Sequence, residues 1–271
     1  MSKITNDRYF TPIHVAEHCW KIVEDYIANL KDYFIIEPSC GDGAFFHNEK
    51  YCPNVGIDIL IDECNCFKER MIEYDFLKTE FKVNQPVLVI GNPPYGMKMN
   101  LAQKFFRHST EFAEYIAFIL PISQLNNTQS LFEFDLIHSE DLGDQEYSGR
   151  KLHCCFNVYR RPQTGVLNRR KSSKLRSVKI VRNDSKTYST APYDIRICAW
   201  GNGTAGKILN DDEHYSAEYK IFIEPNLVEH DEILRLLKTY DWKNNMKHIA
   251  MRKIQQFHII NVIKENFPNV D

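Results

Sequence analysis

Val87-Leu88-Val89-Ile90-Gly91-Asn92-Pro93-Pro94-Tyr95 is an apolar run of strand length that ends in an amide, two rigid residues and an aromatic ring. Consecutive prolines fix φ and remove two amide donors, so the carbonyls just before them are not drawn into a helix and stay free to accept from a ligand. Asn92 adds a side-chain acceptor and Tyr95 a stacking face. The set suits a flat amine; the plainer alternative is a strand-ending turn.

Outward from this run, short apolar stretches alternate with amphipathic or turn-rich ones. Tyr33–Ile36, Val55–Asp58, Val87–Ile90, Tyr115–Leu120, Phe134–His138 and Cys154–Arg160 read as strands, and Asp62–Arg70, Met99–Phe112 and Asn126–Phe132 as helices. Thr11-Pro12 is a helix start, an N-cap hydroxyl before a proline at the first helical position. Val15, Cys19, Ile22 and Tyr26 then follow at helical spacing, which predicts a helix from about 12 to about 29. Strands spaced by helices imply an α/β protein with a doubly wound, mainly parallel sheet, whose ligands lie outside the carboxyl ends of the strands. The last two strands lack an intervening helix and are read as a hairpin.

After Arg160 the character changes. Residues 161–190 are polar and basic, followed by strand-like Tyr193–Trp200 and Tyr219–Glu224 and helical stretches at 228–240 and 247–265. Gly201-Asn202-Gly203-Thr204-Ala205-Gly206 lacks the Lys-Ser/Thr ending of a phosphate loop and reads as a turn. The expected organisation is a main domain over 1–160 and a small α+β extension over 161–271.

Composition narrows the class. No apolar run is long enough for a bilayer and the first residues lack the apolar core of a signal peptide, so a soluble, cytoplasmic protein without membrane contact is expected. The eight cysteines contain no CxxC pair and are read as reduced thiols, with no metal site. From Arg150 to Arg182 eleven basic residues occur without an acid, in a chain of net charge −2, which leaves −13 elsewhere. An otherwise acidic chain that gathers its positive charge in one stretch keeps a face for a polyanion, although a solvated loop has the same composition.

Ile35-Ile36-Glu37-Pro38-Ser39-Cys40-Gly41-Asp42-Gly43-Ala44-Phe45 is a strand, a tight turn and a helix start. Glycines 41 and 43 let the backbone pass close under a ligand. The carboxylates of Glu37 and Asp42 disfavour a pyrophosphate and favour a ligand carrying a cation, such as the ammonium and sulfonium of S-adenosylmethionine. Asp58 ends the second strand, where doubly wound nucleoside sites place an acid for ribose hydroxyls. Asp75-Phe76, near the end of the third, offers an acceptor and a ring to an adenine.

Together, Tyr9-Phe10-Thr11-Pro12, Glu37 to Phe45, Asp58, Asp75-Phe76-Leu77, Asn92 to Tyr95 and Phe118-Ile119-Leu120-Pro121 resemble the adenine-N6 class of amino-group DNA methyltransferases, over roughly residues 8–160. The resemblance implies a Rossmann-like methyltransferase sheet with S-adenosylmethionine as cofactor. It assigns Tyr9, Thr11, Pro12, Glu37, Pro38, Ser39, Cys40, Gly41, Asp42, Gly43 and Phe45 to the methionine end, with Asn92 adjoining, Asp58 to the ribose, and Asp75 and Phe76 to the adenine. Asn92, Pro93, Pro94 and Tyr95 are implied to act on the target base, which must be extruded from a duplex to be reached. Phe156 resembles the second base-contacting aromatic, with a core phenylalanine as the alternative. Arg160, Arg161, Arg169, Arg170, Lys171 and Lys174 are expected on the phosphates of DNA, with RNA as the alternative partner. Asn-Pro-Pro-Tyr also occurs in enzymes that methylate RNA amines or a protein glutamine amide, and a catalytically silent nucleic-acid-binding subunit is the rival from another class.

Overall fold

The parallel strands are β1 (Phe34–Pro38), β2 (Val55–Asp58), β3 (Met71–Glu73), β4 (Val87–Gly91) and β5 (Tyr115–Pro121), all short apolar runs except the three-residue edge strand β3. β6 (Asp135–Tyr147) and β7 (Arg150–Arg160) make an antiparallel hairpin that completes the sheet in the order β3-β2-β1-β4-β5-β7-β6. The computed structural model describes residues 9–62, 65–170, 174–184, 190, 192–201, 203–213, 215–242 and 254–271. Its two compact units are Met1–Arg170 and Lys171–Asp271.

The strand order reverses between β1 and β4, both parallel to each other from Phe34↔Val87 to Ile36↔Val89. The connections that leave the two strands depart in opposite directions there, the arrangement that opens a crevice at their carboxyl ends. Alternation along the strands feeds two cores. Ile35, Leu88, Ile90, Ala117, Ile119, Phe156 and Val158 face helix α1 (Ile13–Tyr26). Ile36, Val87, Val89, Ile116, Phe118 and Leu120 face helix α2 (Asn100–Ser109). Helix α1 buries Val15, Ala16, Cys19, Trp20, Ile22 and Val23, one stripe at helical spacing. Trp20 is enclosed and donates from Nε1 to the Phe45 carbonyl at 3.0 Å, so Trp20→Ala would cost about 3–5 kcal/mol.

Several expected elements differ. Thr11 does not cap α1: the cap residue is Pro12, whose carbonyl takes Val15 and Ala16 N–H, and the helix ends at Tyr26. Asp62–Arg70 yields one 3-10 turn at Lys68–Arg70 among its described residues. Asn126–Phe132 is not helical, since Asn126 is left-handed (φ 51°) and the Asn127 side chain accepts from Gln129 N. The hairpin forms as expected but its first strand runs nine residues further, to Tyr147, because the polar stretch from Ser139 pairs with β7 across two bulges.

The first unit also keeps residues 161–170, ten more than expected. Arg161 bonds the Thr110 and Ala113 carbonyls, and Asn168 bonds the Glu133 carbonyl and the Asp135 carboxylate. The second unit is an α+β fold with an antiparallel sheet β8 (Val178–Asp184), β10 (Ala217–Ile223), β9 (Ile195–Cys198), in that order, and helices α3 (His230–Thr239) and α4 (Gln256–Asn266). Strand β8 lies in the polar, basic stretch 161–190, where no strand was expected. Beside its apolar core a two-pronged ion pair joins Arg196 to Glu218 at 2.7 and 3.3 Å, with both side chains buried. Breaking such a pair from one side costs about 3–5 kcal/mol, because the other charge stays buried.

Candidate active site

The chain leaves β1 through a run of left-handed residues. Ser39 has φ 59°, Gly41 φ 54° and Gly43 φ 85°, so the loop turns sharply over the carboxyl end of the sheet. The φ of Gly43 strains any residue with a Cβ, and that atom would stand 2.8 Å from the Met71 methyl, the movable end of its side chain. Asp58, at the end of β2, accepts Gly41 N at 2.9 Å and Leu60 N at 3.1 Å, so it fastens the loop to its neighbouring strand. Any ribose hydroxyl there would share a carboxylate that already serves the backbone.

Glu37 is the last-but-one residue of β1 and is buried, 3% exposed. Its Oε2 has no hydrogen-bond partner. Burial, and then the nearby Asp42 and Asp58, push its carboxyl well above the usual carboxylate range. An opposite charge close by would restore the ionised form of a buried acid in this state. Gly91 stands beside it, with its own Cβ position 3.4 Å from Glu37 Cγ.

Asn92 follows β4 directly, across the crevice. Its Nδ2 donates to the Tyr9 carbonyl at 3.3 Å and to Thr11 Oγ1 at 3.2 Å. The Tyr9 carbonyl can only accept, so nitrogen must be the atom facing it and Oδ1 is turned away. Among the described residues no donor reaches Oδ1. Ser39 Oγ lies 3.3 Å from the Asn92 carbonyl and ties the two strand ends together. Thr11, expected to cap a helix, is thereby an orienting group for Asn92. Pro93 is buried and Pro94 half-buried. Tyr95 is half-buried, packs against both cores and sets its hydroxyl 3.5 Å from Cys154 Sγ. Burial and Cys154 push the phenol well up from its ordinary value, so it stays neutral.

Four expected contacts belong instead to the core. Cys40 packs with Phe46 and Met71, and Phe45 is enclosed under Trp20, so both offer the loop only backbone. Phe76 is 2% exposed and stacks on Phe105 at 5.2 Å between ring centroids. Phe156 is fully buried against the α1 layer and does not present a ring to a base. Asp75 caps the short turn after β3, accepting Leu77 N at 3.1 Å, with Lys78 Nζ at 3.5 Å.

The basic stretch is dispersed by the fold. Arg160 pairs with Tyr115 at the amino end of β5, opposite Asn92, and β5 is about 20 Å long at roughly 3.3 Å per residue. Arg161 spends its fork on the Ala113 and Thr110 carbonyls at 2.9 and 2.6 Å and lies over the Phe134 ring at 4.9 Å. Arg161 is thus an internal brace of the first unit, while Arg160 Nε is buried without a hydrogen-bond partner among the described residues. Arg169 and Arg170 are exposed, Lys174 is exposed in the second unit, and Lys171 lies outside the described residues.

Two contributors were not in the expected set. The Phe10 ring covers Gly41, 3.1 Å from where a Cβ would stand, and the hairpin tip at Ser148–Arg150 reaches the Tyr9–Phe10 segment. Ser148-Gly149 was the available signal, as a two-residue turn of hairpin type. Among the described residues the cysteines are free thiols and no group of three His, Cys, Asp or Glu is arranged to hold a metal. Likewise no described helix is long and apolar enough to cross a membrane.

No protein-family model and no curated protein matches the chain. Solved structures do. A Pyrococcus horikoshii protein described as a candidate RNA methyltransferase is 15% identical over 59% of this chain and 90% of its own, with a TM-score of 0.47. The type I restriction-modification methyltransferase subunit of Streptococcus thermophilus is 15% identical over 58% of this chain and 46% of its own, with a TM-score of 0.44. Magnesium protoporphyrin IX methyltransferase from Synechocystis, solved with S-adenosylmethionine bound, is 12% identical over 55% of this chain and 79% of its own, with a TM-score of 0.43.

Proposed function

We propose that the protein transfers a methyl group from S-adenosylmethionine to the exocyclic N6 amine of adenine in DNA. The observation that carries this is the Asn92 carboxamide, fixed through its nitrogen by Tyr9 and Thr11 so that its oxygen is left to accept, at the carboxyl end of β4. The unpartnered buried oxygen of Glu37 fits the cofactor's positive charge, and the glycine turn at 41–43 fits close approach of its backbone-facing side. Glu37, Ser39, Gly41 and Asp42 would hold the methionine end, and Asp58 and Asp75 the nucleoside. When bound, the cofactor supplies a methyl group activated by a sulfonium.

An exocyclic adenine amine is a weak nucleophile because its lone pair is delocalised into the ring. Asn92 Oδ1 and the Pro93 carbonyl each accept one N–H, which draws the nitrogen toward a tetrahedral shape and localises the lone pair. No strong base is needed beforehand: these protons would turn acidic only as the N–C bond forms and the methyl–sulfur bond breaks, after which the cofactor would leave as a neutral thioether and one proton would pass to solvent. Tyr95, neutral and anchored at Cys154, would offer its ring to the extruded base for stacking, a contact of about 1–3 kcal/mol against a similar unstacking cost. Phosphate contacts then supply the net affinity, and the exposed Arg169 and Arg170 support a nucleic acid as partner.

The test is direct. Purified protein is incubated with isotopically labelled S-adenosylmethionine and, separately, unmethylated duplex DNA, single-stranded DNA and RNA, and the digests are resolved by mass spectrometry. Labelled N6-methyldeoxyadenosine is expected. Label confined to RNA, or appearing only in protein, overturns the assignment of substrate, and no label with any acceptor overturns the reaction.

A further inference from the structure

Contacts that orient Asn92 continue outward to an element far away in sequence. Tyr9, whose carbonyl holds the Asn92 nitrogen, accepts on its hydroxyl from Arg150 Nη1 at 3.0 Å, and the guanidinium lies 5.7 Å from the centre of its ring. The next residue, Phe10, donates its backbone N–H to Ser148 Oγ at 2.8 Å. Ser148 and Gly149 are the two-residue turn of the β6–β7 hairpin, closing the pair Tyr147↔Arg150 with φ of 50° and 76°. Turns with both central residues left-handed match the twist of their strands and hold a hairpin tip stiffly. Tyr147, fully buried, roots the tip in the α1 core.

Charge at the tip singles out one cation. Lys151 pairs with Asp144, and His153 with Asp141 at 2.6 Å and Asp144 at 3.7 Å. Arg150 has no carboxylate partner among the described residues. An exposed Arg–Tyr contact contributes little to folding. Its consequence lies in where it holds Tyr9.

We propose that Arg150 and Ser148 are positioning residues for methyl transfer. The hairpin tip holds the Tyr9–Thr11 segment, and that segment holds the Asn92 carboxamide with its nitrogen inward and its oxygen presented to the acceptor amine. The inference rests on the proposed reaction for what Asn92 does, but the mechanical link from tip to segment does not.

Two measurements test it. With an adenine-containing oligonucleotide and saturating methyl donor, Arg150→Ala and Tyr9→Phe should each lower kcat about 10- to 100-fold, the range expected for a misplaced catalytic group. The double variant should be no slower than the worse single one, Arg150→Lys should recover part of the loss, and KM and cofactor affinity should stay within about twofold. A raised KM and shallower salt dependence at unchanged kcat would make Arg150 a phosphate contact and overturn the proposal. Hydrogen–deuterium exchange, which needs no activity, should show faster exchange over residues 9–12 in Arg150→Ala and Ser148→Ala and unchanged exchange in β4 and β5. Unaltered exchange over 9–12 would also overturn it. If the wild-type protein methylates nothing, the proposed reaction fails while the exchange measurement still decides the link.

Discussion

Replacing Glu37 by glutamine should uncouple cofactor binding from pH. In the free protein the Glu37 carboxyl is buried, one oxygen has no partner, and burial followed by Asp42 and Asp58 raises its pKa well above the ordinary 4.5. It therefore keeps its proton over a window that opens at the ordinary value and extends upward. A cation arriving beside it draws it into the ionised form, so binding in that window expels up to one proton. Affinity for S-adenosylmethionine should then rise with pH by up to tenfold per unit, or about 1.4 kcal/mol, until the free carboxyl is itself ionised. Glutamine has no proton to release and no charge to offer, so the variant should bind weakly with little pH dependence.

Calorimetric titration in two buffers of different ionisation enthalpy counts the protons released. The wild-type protein should release close to one more than Glu37→Gln. Equal counts, or undiminished affinity in the variant, would refute the reasoning. The ligand-free protein gives an independent check of sign. Since the folded state holds a proton that the unfolded chain loses above the ordinary value, this group's contribution is fully present below that value. It is lost as pH rises toward the folded value, with a slope of up to about 1.4 kcal/mol per pH unit. Glu37→Gln should match the wild type in stability near pH 4 and exceed it at alkaline pH, as denaturant midpoints would show.

Asn92→Ala should abolish methyl transfer while holding cofactor affinity within about threefold, a shift under ~1 kcal/mol, measured by calorimetry beside a transfer assay. Changing exposed Arg169 and Arg170 together to alanine should lower the log–log salt slope of DNA binding by about 2 at ~0.9 per contact, as read by anisotropy at several salt concentrations; an unchanged slope would place the phosphate contacts elsewhere. Arg161→Ala should do the reverse, leaving that slope alone and destabilising the first unit by about 2 kcal/mol or more, because two carbonyls lose a charged donor.

The apolar runs announced the sheet because a strand buried on both faces is a continuous hydrophobic word, as Val87–Gly91 is. Strand β3 was expected only from the place of Asp75-Phe76 and was not legible from its own residues: Ile72, at its centre, is 54% exposed, and no pattern of burial distinguishes three edge residues from a loop. The outer half of the hairpin was hidden for a related reason. Glu140 to Glu146 is mostly polar, and only its backbone pairing with Lys151–Phe156 makes it a strand. Aromatic residues near the site were ambiguous in principle, because a ring that stacks on a ligand and one that fills a core have the same chemistry. Phe45, Phe76 and Phe156 went to the core, while Phe10, exposed by 41%, went to the loop. Arginine failed in the same way: composition counts a charge, but Arg161 is committed to carbonyls.

Unfavourable features are not spread evenly over the first unit. Ser39 is held left-handed after β1, and Gly96, Lys98 and Met99 are left-handed within four residues of Tyr95 after β4. Each non-glycine residue so placed costs roughly 1–3 kcal/mol, and the buried acid of Glu37 adds to this above its ordinary titration range. Together they are comparable with a domain's whole net stability of about 5–15 kcal/mol, so they persist only because two packed layers on either side of β1 and β4 over-determine the strand ends. Strain at one strand end alone could be a tight turn. Strain at both ends of a topological reversal, beside an unpartnered carboxyl and a carboxamide fixed through its nitrogen, is the distribution that the proposed reaction requires, since its occupied state would add a cation and an amine to these groups.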